Sequence, residues 1–235
     1  MKRLRAAERK EQLLDTAASV FASMGYARAT TAELARAAGV TEPVIYRHFA
    51  SKRDLFVALI ERTGRDTLAH WEQELTDAED PADRLLRIIG DNPMVSKGGR
   101  DAYRVFLQAI SEIDDELVRS AVDVHIKALH AFLARELERA QAEGRVRGSY
   151  SAELIAWTIL NMGLGYGVLA AMRIPGQGRD ASGVHVKDVL RRLLLPAGEA
   201  EHGDEPNPAK KAPSKKSRTK KKLSSRKTSR KTGGG

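Results

Sequence analysis

The fold of this 235-residue chain is decided by the stretch from Thr31 to Ala50, which reads TAELARAAGVTEPVIYRHFA. Two short helices that cross closely need a small residue at their contact and a residue that tolerates positive φ in the turn between them. Ala35 and Gly39 supply these residue types four positions apart. The apolar residues with the spacing to pin the second helix to the first are Leu34, Val40 and Ile45. The stretch therefore predicts a helix-turn-helix, with an ordinary helical hairpin as the alternative.

Helix-capping residues surround this stretch. Thr30 and Glu33 form a capping box, in which the Thr30 hydroxyl accepts from an amide and the Glu33 carboxylate reaches back to the Thr30 N–H. The run SKRD at 51–54 repeats the box, and the Thr41 hydroxyl is expected to cap the second helix. The second helix of a helix-turn-helix enters the DNA major groove, where its N-terminal residues meet base edges. The expected partner is therefore double-stranded DNA.

Charge is spread unevenly along the chain. Its 40 Lys and Arg residues outnumber 31 Asp and Glu residues, for a formal net charge of +9. Residues 1–60 carry a net charge of +4, residues 61–205 carry −7, and residues 206–235 hold 12 basic residues and no acidic one. Basic segments on both sides of an acidic body agree with a polyanionic partner such as DNA.

The sequence offers no arrangement suited to catalysis. It has no cysteine, which excludes disulfides, thiolate metal sites and thiol nucleophiles and agrees with a reducing cytoplasm. His125 and His130 are five residues apart, so they fall on different faces of a helix and predict no metal site. The sequence also has no Gly-rich phosphate loop and no Gly-x-Ser-x-Gly elbow. We expect neither an enzyme nor a bound cofactor.

Apolar periodicity predicts an all-α chain of about nine helices. The expected spans are 5–24, 30–38, a short helix from Thr41, 51–75, 80–92, 100–113, 115–143, 151–173 and 184–195. The run from Leu154 to Met172 has 19 residues without a charge, about enough to span a bilayer. Thr158, Asn161 and three glycines within that run favour a buried interface helix instead. We therefore expect no membrane association.

Motifs between about residues 10 and 60 resemble a known family. The segments that carry the resemblance are FASMGY at 21–26, TT at 30–31, GVT at 39–41, IYRHF at 45–49 and SKRDLF at 51–56. Together they look like the TetR family of one-component bacterial transcriptional regulators. The resemblance implies a homodimer, and usually a repressor that leaves a palindromic operator when a small effector binds.

The resemblance also implies a division of the chain. Residues 1–56 would form a three-helix DNA-binding head, and residues 57–196 a larger helical domain for ligand binding and dimerisation. Residues 197–235 are rich in Lys, Ser and Thr, and they predict a disordered tail because they hold too little apolar surface to bury.

A set of DNA-contacting residues follows from the same resemblance. The positions that commonly hold the DNA backbone in the family are Thr31, Thr41, Tyr46 and Lys52. The positions on the groove-facing part of the second helix are Glu42, Pro43, Val44, Arg47 and His48. Arg47 has the donors to read guanine, and Pro43 or Val44 can touch a thymine methyl. Glu42 either accepts from cytosine or caps the helix, and His48 either faces DNA or packs under the head.

The last two helices are expected to form the dimer interface, because in the family they pair across a two-fold axis as a four-helix bundle. The small residues that would let two such helices approach closely are Ala156, Gly163, Gly167 and Ala171. The apolar face of the final helix holds Leu190, Leu193, Leu194 and Leu195. Burial of these residues within one subunit is the alternative.

The middle helices carry the candidate ligand-binding residues. They are Trp71, Tyr103, Phe106, Gln108, His125, Trp157, Asn161, Met162 and Tyr166, most of which are expected to be plain core. Mobile Met side chains and scarce buried charge favour an apolar effector such as a lipid, acyl or drug-like compound.

The basic tail leaves a second interpretation open. Its lysines can neutralise DNA phosphates and release counterions, which raises affinity without adding sequence preference. In that case the chain is an architectural, nucleoid-type DNA-binding protein. A solubilising role and contact with anionic lipid are the remaining alternatives for the tail.

Overall fold

The computed structural model describes residues 5–76, 78, 80–90 and 100–195. Within these ranges the α-helices are α1 Ala6–Met24, α2 Thr31–Ala38, α3 Glu42–Tyr46, α4 Lys52–Glu74, α5 Pro81–Gly90, α6 Arg100–Gln108, α7 Glu116–Ala142, α8 Ala152–Ala171 and α9 Val186–Leu194. A 3-10 turn, Ala109–Glu112, follows α6. The same ranges hold no β-strand beyond an isolated bridge, so the all-α prediction is confirmed. The predicted end of the fifth helix at Asn92 and the tail at 197–235 lie outside the described residues.

The helix starts follow the predicted capping residues. The Thr30 hydroxyl accepts from the Glu33 N–H at 3.2 Å, and the Glu33 carboxylate accepts from the Thr30 N–H at 2.8 Å. The Ser51 hydroxyl accepts from the Asp54 N–H at 3.1 Å and opens α4. The Asp115 carboxylate accepts from the Leu117 and Val118 N–H groups in the first turn of α7. These local hydrogen bonds explain why the helix starts could be predicted from the sequence.

The expected cap at Thr41 is wrong, because its hydroxyl makes no capping hydrogen bond. Pro43 occupies the second helical position and has no N–H to donate. The next amide, that of Val44, already donates to the Thr41 carbonyl at 2.9 Å. The Thr41 hydroxyl is therefore not used in closing the helix.

The turn between α2 and α3 has the predicted geometry. Gly39 lies in the left-handed region, with φ of 66° and ψ of 34°, where a residue without Cβ is favoured. The Val40 N–H donates to the Ala35 carbonyl at 3.0 Å and closes the turn. Ala35 is buried at the contact between the helices, and Ile45 is fully buried. The prediction of a helix-turn-helix is confirmed.

The first four helices share an apolar cluster with the middle of the chain. Phe21 of α1, Ile45 of α3 and Phe56 of α4 have no exposed surface. Tyr103 and Phe106 of α6 belong to the same cluster. Helices α1 and α4 therefore pack directly against α6, and α4 runs through the expected boundary at residue 56. That boundary stays a prediction.

A second apolar cluster joins α4, α5, α7, α8 and α9. Its buried members include Trp71 of α4, Leu133 of α7 and Ile155 of α8. A buried ion pair lies at its edge, where the Arg84 Nε donates to Glu136 at 2.7 Å and the Glu136 side chain is 3% exposed. A charge at that depth is tolerated because the guanidinium pairs with it and hydrogen bonds it.

The apolar helix α8 has two different faces. It is long and apolar enough to span a membrane by length and composition alone. One face is buried, however, with Ala156 fully buried and Ile159 and Leu160 nearly so, and it packs on α7. The opposite face is exposed, with Leu154 at 53% and Trp157 at 41%. The core packing of α8 agrees with the expectation of an interface helix.

Candidate nucleic-acid interface

The helix α3 is short, and it presents its side chains in three ways. Pro43 and Tyr46 are exposed, Glu42 and Val44 are half-buried, and Ile45 anchors the helix in the core. A helix of five residues cannot bury a face of its own, so the single buried Ile45 sets which side faces outward. Of the residues predicted to face the DNA groove, Pro43 is exposed on α3, whereas Glu42 and Val44 are half-buried.

Arg47 and His48 lie just beyond the end of α3, which differs from the predicted placement on the helix. Arg47 keeps helical angles, with φ of −71° and ψ of −24°, and its N–H donates to the Pro43 carbonyl. The His48 N–H donates to the Ile45 carbonyl at 2.9 Å. Arg47 is exposed and His48 is half-buried beside Phe49, with ring centroids 6.5 Å apart. The Arg47 guanidinium is therefore the more available of the two.

An open depression of about 490 Å³ lies beside α3. It is lined by Ala27, Ala29, Thr30, Thr31, Tyr46, Ala50, Ser51 and Lys52, and we call it the α2–α4 groove. The first residues of α2 and α4 both lie in it, so the partial positive charges of two helix N-termini meet there. The Thr31 hydroxyl and the Tyr46 hydroxyl are 3.2 Å apart across it. Two hydroxyls, an ammonium and two helix N-termini suit an oxyanion such as a phosphate.

The Lys52 ammonium has a structural task that the sequence did not predict. It donates to the Tyr26 carbonyl at 3.0 Å and to the Ala29 carbonyl at 2.9 Å, so it ties α4 to the loop after α1. It also lies 4.4 Å from the centre of the Tyr26 ring. An ammonium has three hydrogens, and two are used in these bonds. The third hydrogen and the charge remain for a ligand in the α2–α4 groove.

Tyr26 holds the loop between α1 and α2 in place. Its ring stacks on Phe56 at 4.3 Å and meets the edge of Phe21 at 5.5 Å. Burial of this ring raises the pKa of the Tyr26 hydroxyl, with the carboxylates of Glu112 and Asp115 adding to the rise. The loop that carries Ala27 and Ala29 into the α2–α4 groove is therefore fixed by aromatic packing.

The charges around the α2–α4 groove favour an anion. Arg36 on α2 and Arg47 just after α3 are both exposed. The nearby Glu33 is engaged by the Thr30 N–H, which lowers the pKa of its carboxyl group. Glu42 on α3 is half-buried and is the acidic group closest in sequence to the exposed α3 residues. The balance of exposed side chains is basic.

The structure brings three of the predicted ligand-binding residues together. The rings of Tyr103 and Phe106 lie 6.1 Å and 4.8 Å from His125, and all three side chains are buried. Trp71 is also buried, but it packs on Phe132 in the second cluster. Tyr103 and Phe106 thus belong to the cluster shared with the first four helices, whereas Trp71 belongs to the second cluster.

His125 is buried without a hydrogen-bond partner for either ring nitrogen. Its side chain is 3% exposed, and burial lowers its pKa to about 4. On its α4 side it packs against Gly64, where a Cβ atom would lie 2.5 Å from the His125 Nδ1. The Trp71 Nε1 is a second buried donor with no partner. Such groups cost about 1–3 kcal/mol each when unpaired, so they need an explanation.

The other predicted ligand-binding residues do not join this cluster. Trp157 and Asn161 are exposed on the outer face of α8, where Trp157 stacks on His130 at 4.4 Å. Met162 and Tyr166 are half-buried, and the Tyr166 ring lies 5.8 Å from His185. Because α8 is apolar on every side, the sequence could not show which side faces the core.

Gln108 makes a contact that no pattern in the sequence indicates. Its Nε2 donates to the Phe21 carbonyl at 2.8 Å, and its Oε1 accepts from the Tyr26 N–H at 2.7 Å. It therefore bonds to the end of α1 rather than to the interior of the larger domain. In the sequence, the only related feature is that a polar residue ends a helix that also contains Tyr103 and Phe106.

The outer faces of α8 and α9 each carry exposed apolar side chains. On α8 these are Leu154, Trp157 and Leu169, and on α9 they are Val189 and Leu193, which are between 41% and 64% exposed. The predicted small residues are placed differently, since Ala156 and Gly167 face the core. Leu190, Leu194 and Leu195 are also buried within the chain, so of the four leucines predicted for this face only Leu193 is exposed. We call the exposed apolar side chains of both helices the α8–α9 face.

Comparison with known proteins finds similarity to the part of the chain that contains the helix-turn-helix. Residues 13–59 match the family described as bacterial regulatory proteins, tetR family. The chain is 40% identical over 87 residues to the HTH-type transcriptional activator FasR of Mycolicibacterium smegmatis, covering 37% of this chain and 40% of FasR. It is 40% identical over 80 residues to the nucleoid occlusion factor SlmA of Marinobacter nauticus, covering 34% of this chain and 41% of SlmA. The chain thus spans about two fifths of the length of these curated relatives.

A solved structure shows that the shared fold extends further. A TetR family transcriptional regulator from Agrobacterium tumefaciens superposes with a TM-score of 0.67 at 24% identity, covering 81% of this chain and all of that chain. The helix-turn-helix and the all-α fold around it define a class of DNA-binding regulators. Residues 13–59 of this chain thus match the DNA-binding part of the tetR family of bacterial regulatory proteins, and the described residues share the fold of a TetR family regulator.

Proposed function

We propose that the chain is a cytoplasmic, dimeric transcriptional repressor that binds a palindromic operator and leaves it when a small effector binds. The observation that carries the proposal is the α2–α4 groove beside the exposed side of α3. Phosphate contacts in such a groove fix the register of the protein on DNA, and side chains on the neighbouring helix then read base edges.

The DNA contacts divide into two sets. Thr31, Tyr46 and Lys52 donate to backbone phosphates from the α2–α4 groove, and the Thr41 hydroxyl, which is not used in capping, adds a further donor. The exposed residues on and just after α3, Pro43 and Arg47, meet the bases. Half-buried Glu42, Val44 and His48 shape the edge of this surface. Phosphate contacts carry affinity, and the contacts of α3 carry sequence preference.

A homodimer is supported by the α8–α9 face. Five large apolar side chains on these two helices are between 41% and 64% exposed, and a two-fold axis beside them would pair the same residues on both subunits. A dimer also explains how one short helix specifies a site, because two copies read two half-sites.

The effector proposal rests on His125 and Trp71. Both are buried and have polar atoms without partners, so a bound molecule that supplied a hydrogen bond would remove an existing cost. With its pKa lowered to about 4, His125 is neutral at pH 7 and offers no charge to an ionic ligand. The rings of Tyr103 and Phe106 beside it favour an apolar molecule with one or a few hydrogen-bonding groups.

The experiment that tests the proposal selects duplexes from a random pool with the purified full chain, at a salt concentration near 150 mM. We expect one enriched palindromic sequence, and we expect Arg47→Ala to lose the enrichment while it keeps its general affinity for DNA. Reporter transcription from a promoter that contains the selected site should fall when the protein is expressed. An equal affinity for every duplex would contradict the proposal, and a rise in transcription would contradict the repressor assignment. The reporter measurement is needed because FasR, one of the relatives, is called an activator, and this chain matches 40% of its length.

A second candidate is a nucleoid-type protein that binds DNA with little sequence preference. The 12 basic residues of 206–235 favour it, and one relative is called a nucleoid occlusion factor. Deleting the chain after Pro196 and measuring DNA affinity over a salt series separates the two. If the tail dominates, the deletion lowers the salt dependence and removes most of the affinity. If the head dominates, the selected palindrome still competes against unrelated DNA.

A further inference from the structure

The side chain of Gln108 connects the end of α6 to the loop that follows α1. Its Nε2 donates to the Phe21 carbonyl at 2.8 Å, and its Oε1 accepts from the Tyr26 N–H at 2.7 Å. These partners are 82 and 87 residues away in sequence. Both halves of the amide are therefore satisfied by the backbone of a single turn, and any shift of α6 along its axis changes both distances.

The same loop residue is held from the opposite side by α4. The Tyr26 N–H is bonded to Gln108, and the Tyr26 carbonyl accepts from the Lys52 ammonium at 3.0 Å. Lys52 also lines the α2–α4 groove, together with Thr31 and Tyr46. Tyr26 thus connects Gln108, at the end of α6, to the Lys52 ammonium in the α2–α4 groove.

Helix α6 also contacts His125 through Phe106, in the buried aromatic cluster of Tyr103, Phe106 and His125. Phe106 precedes Gln108 by two residues on α6, and its ring lies 4.8 Å from His125. A molecule that bonded to His125 would have to displace or move this ring, because the cluster is closely packed. Since Phe106 and Gln108 share a helix of nine residues, they move together.

We propose that Gln108 is the positioning residue that couples the place of α6 to the shape of the α2–α4 groove. A displacement of α6 by about 1 Å would take both Gln108 hydrogen bonds beyond their working range and release the Tyr26 loop. Lys52 then loses its fixed carbonyl partners and no longer holds the groove in the arrangement that fits a phosphate. The coupling to DNA rests on the proposed function, whereas the coupling from α6 to the Tyr26 loop does not.

The test uses the full chain with Gln108→Met, which keeps the length of the side chain and removes both hydrogen bonds. The matched control is Gln141→Met, because Gln141 also bonds two backbone groups, the carbonyls of Arg147 and Tyr150, in the turn after α7. Hydrogen exchange of the Tyr26 amide is the direct readout. We expect exchange at Tyr26 to rise about tenfold in Gln108→Met and to stay within twofold of wild type in Gln141→Met.

A second arm tests coupling rather than local contact. Phe106→Leu loosens the packing against His125, and we expect it to speed Tyr26 exchange in the wild-type background. In the Gln108→Met background the same change should add nothing, since the connection is already broken. Additive effects of the two substitutions would overturn the proposal.

The third arm measures affinity for the selected duplex. We expect Gln108→Met to weaken binding about tenfold and Gln141→Met to leave it within twofold. If Gln108→Met does not fold, Gln108→Glu replaces it. Its carboxylate keeps an acceptor for the Tyr26 N–H but cannot donate to the Phe21 carbonyl, so partial protection is expected.

The outcomes separate the two proposals. Unchanged Tyr26 exchange in Gln108→Met, or equal losses of DNA affinity in both glutamine variants, overturns the role of Gln108. If the wild-type chain selects no duplex, the proposed function fails, and the exchange measurements still decide whether α6 is coupled to the Tyr26 loop.

Discussion

The burial of His125 makes the stability of the fold depend on pH. Its pKa is lowered to about 4 by burial, whereas in the unfolded chain it lies near 6.5. The unfolded state therefore binds a proton as the pH falls below about 6.5 while the folded state does not. Stability is lost through this window and levels off below about pH 4, where both states are protonated.

We predict that His125→Leu removes this part of the pH dependence. Between pH 7 and pH 5 the wild-type chain should lose about 2 kcal/mol of unfolding free energy through His125, because each pKa unit is worth 1.36 kcal/mol. Urea unfolding at pH 7, 6 and 5 measures the difference. Equal pH dependence in wild type and His125→Leu would contradict the assignment.

At the α2–α4 groove we predict that Tyr46→Phe weakens binding to every DNA sequence alike. The hydroxyl is 3.2 Å from the Thr31 hydroxyl and is placed to donate to a phosphate, a contact worth roughly a tenfold change in affinity. Fluorescence anisotropy with the selected duplex and an unrelated duplex measures both losses. Tyr150→Phe, with Tyr150 exposed at 66%, is the control and should bind as wild type does. A loss confined to the selected duplex would mean that Tyr46 reads bases.

The position of some residues in the fold could be predicted from the sequence, and that of others could not. The family resemblance groups Thr31, Thr41, Tyr46 and Lys52. The structure brings three of them into the α2–α4 groove, and Thr41 is not among its lining residues. The two carbonyl bonds of Lys52 and the two backbone bonds of Gln108 could not be predicted, because their partners lie 23 to 87 residues away. Such contacts depend on how whole helices are arranged.

Among the helices, the bounds followed the sequence closely because caps and periodicity are local. The turn at Gly39 is the best case, since one glycine in the left-handed region determines where α2 ends. The short α3 was harder, because Pro43 removes an amide and leaves the Thr41 hydroxyl without a capping role. The orientation of α8 could not be read at all, since a helix that is apolar all round gives no preferred face.

We predict that Gly39→Ala destabilises the helix-turn-helix by about 1 kcal/mol through its backbone conformation. No atom lies within 4 Å of the position that the new Cβ would take, so the cost arises from the φ of 66° and not from a clash. Thermal unfolding of the full chain measures the loss. Gly148→Ala, at an exposed glycine with similarly open space, should be neutral or slightly stabilising. Equal effects of the two substitutions would contradict this explanation.

At the scale of the whole molecule, the α8–α9 face consists of exposed apolar side chains that one chain does not bury by itself. We predict that Leu193→Glu converts the protein from a dimer to a monomer, because a charge would enter the apolar contact. Sedimentation or light scattering measures the mass, and binding to the selected palindrome should weaken at least tenfold.

The control for Leu193→Glu is a variant that places the same charge at a different exposed apolar position. Val124 on α7 is 61% exposed, close to the 64% of Leu193. Val124→Glu should leave both the mass and the DNA affinity unchanged. A monomeric Val124→Glu variant would place the interface on α7, and a dimeric Leu193→Glu variant would exclude the α8–α9 face.

The helical class, the helix-turn-helix and most helix starts could be predicted from local patterns of residues. These features depend on residues within a few positions of one another, such as the Thr30–Glu33 box and Gly39. The buried face of α8, the lack of a hydrogen-bond partner for His125 among the described residues, and the contact of Gln108 with the loop after α1 became visible only in the folded chain. Those features depend on the packing of distant helices, and packing energy is summed over many contacts that no local pattern of residues specifies.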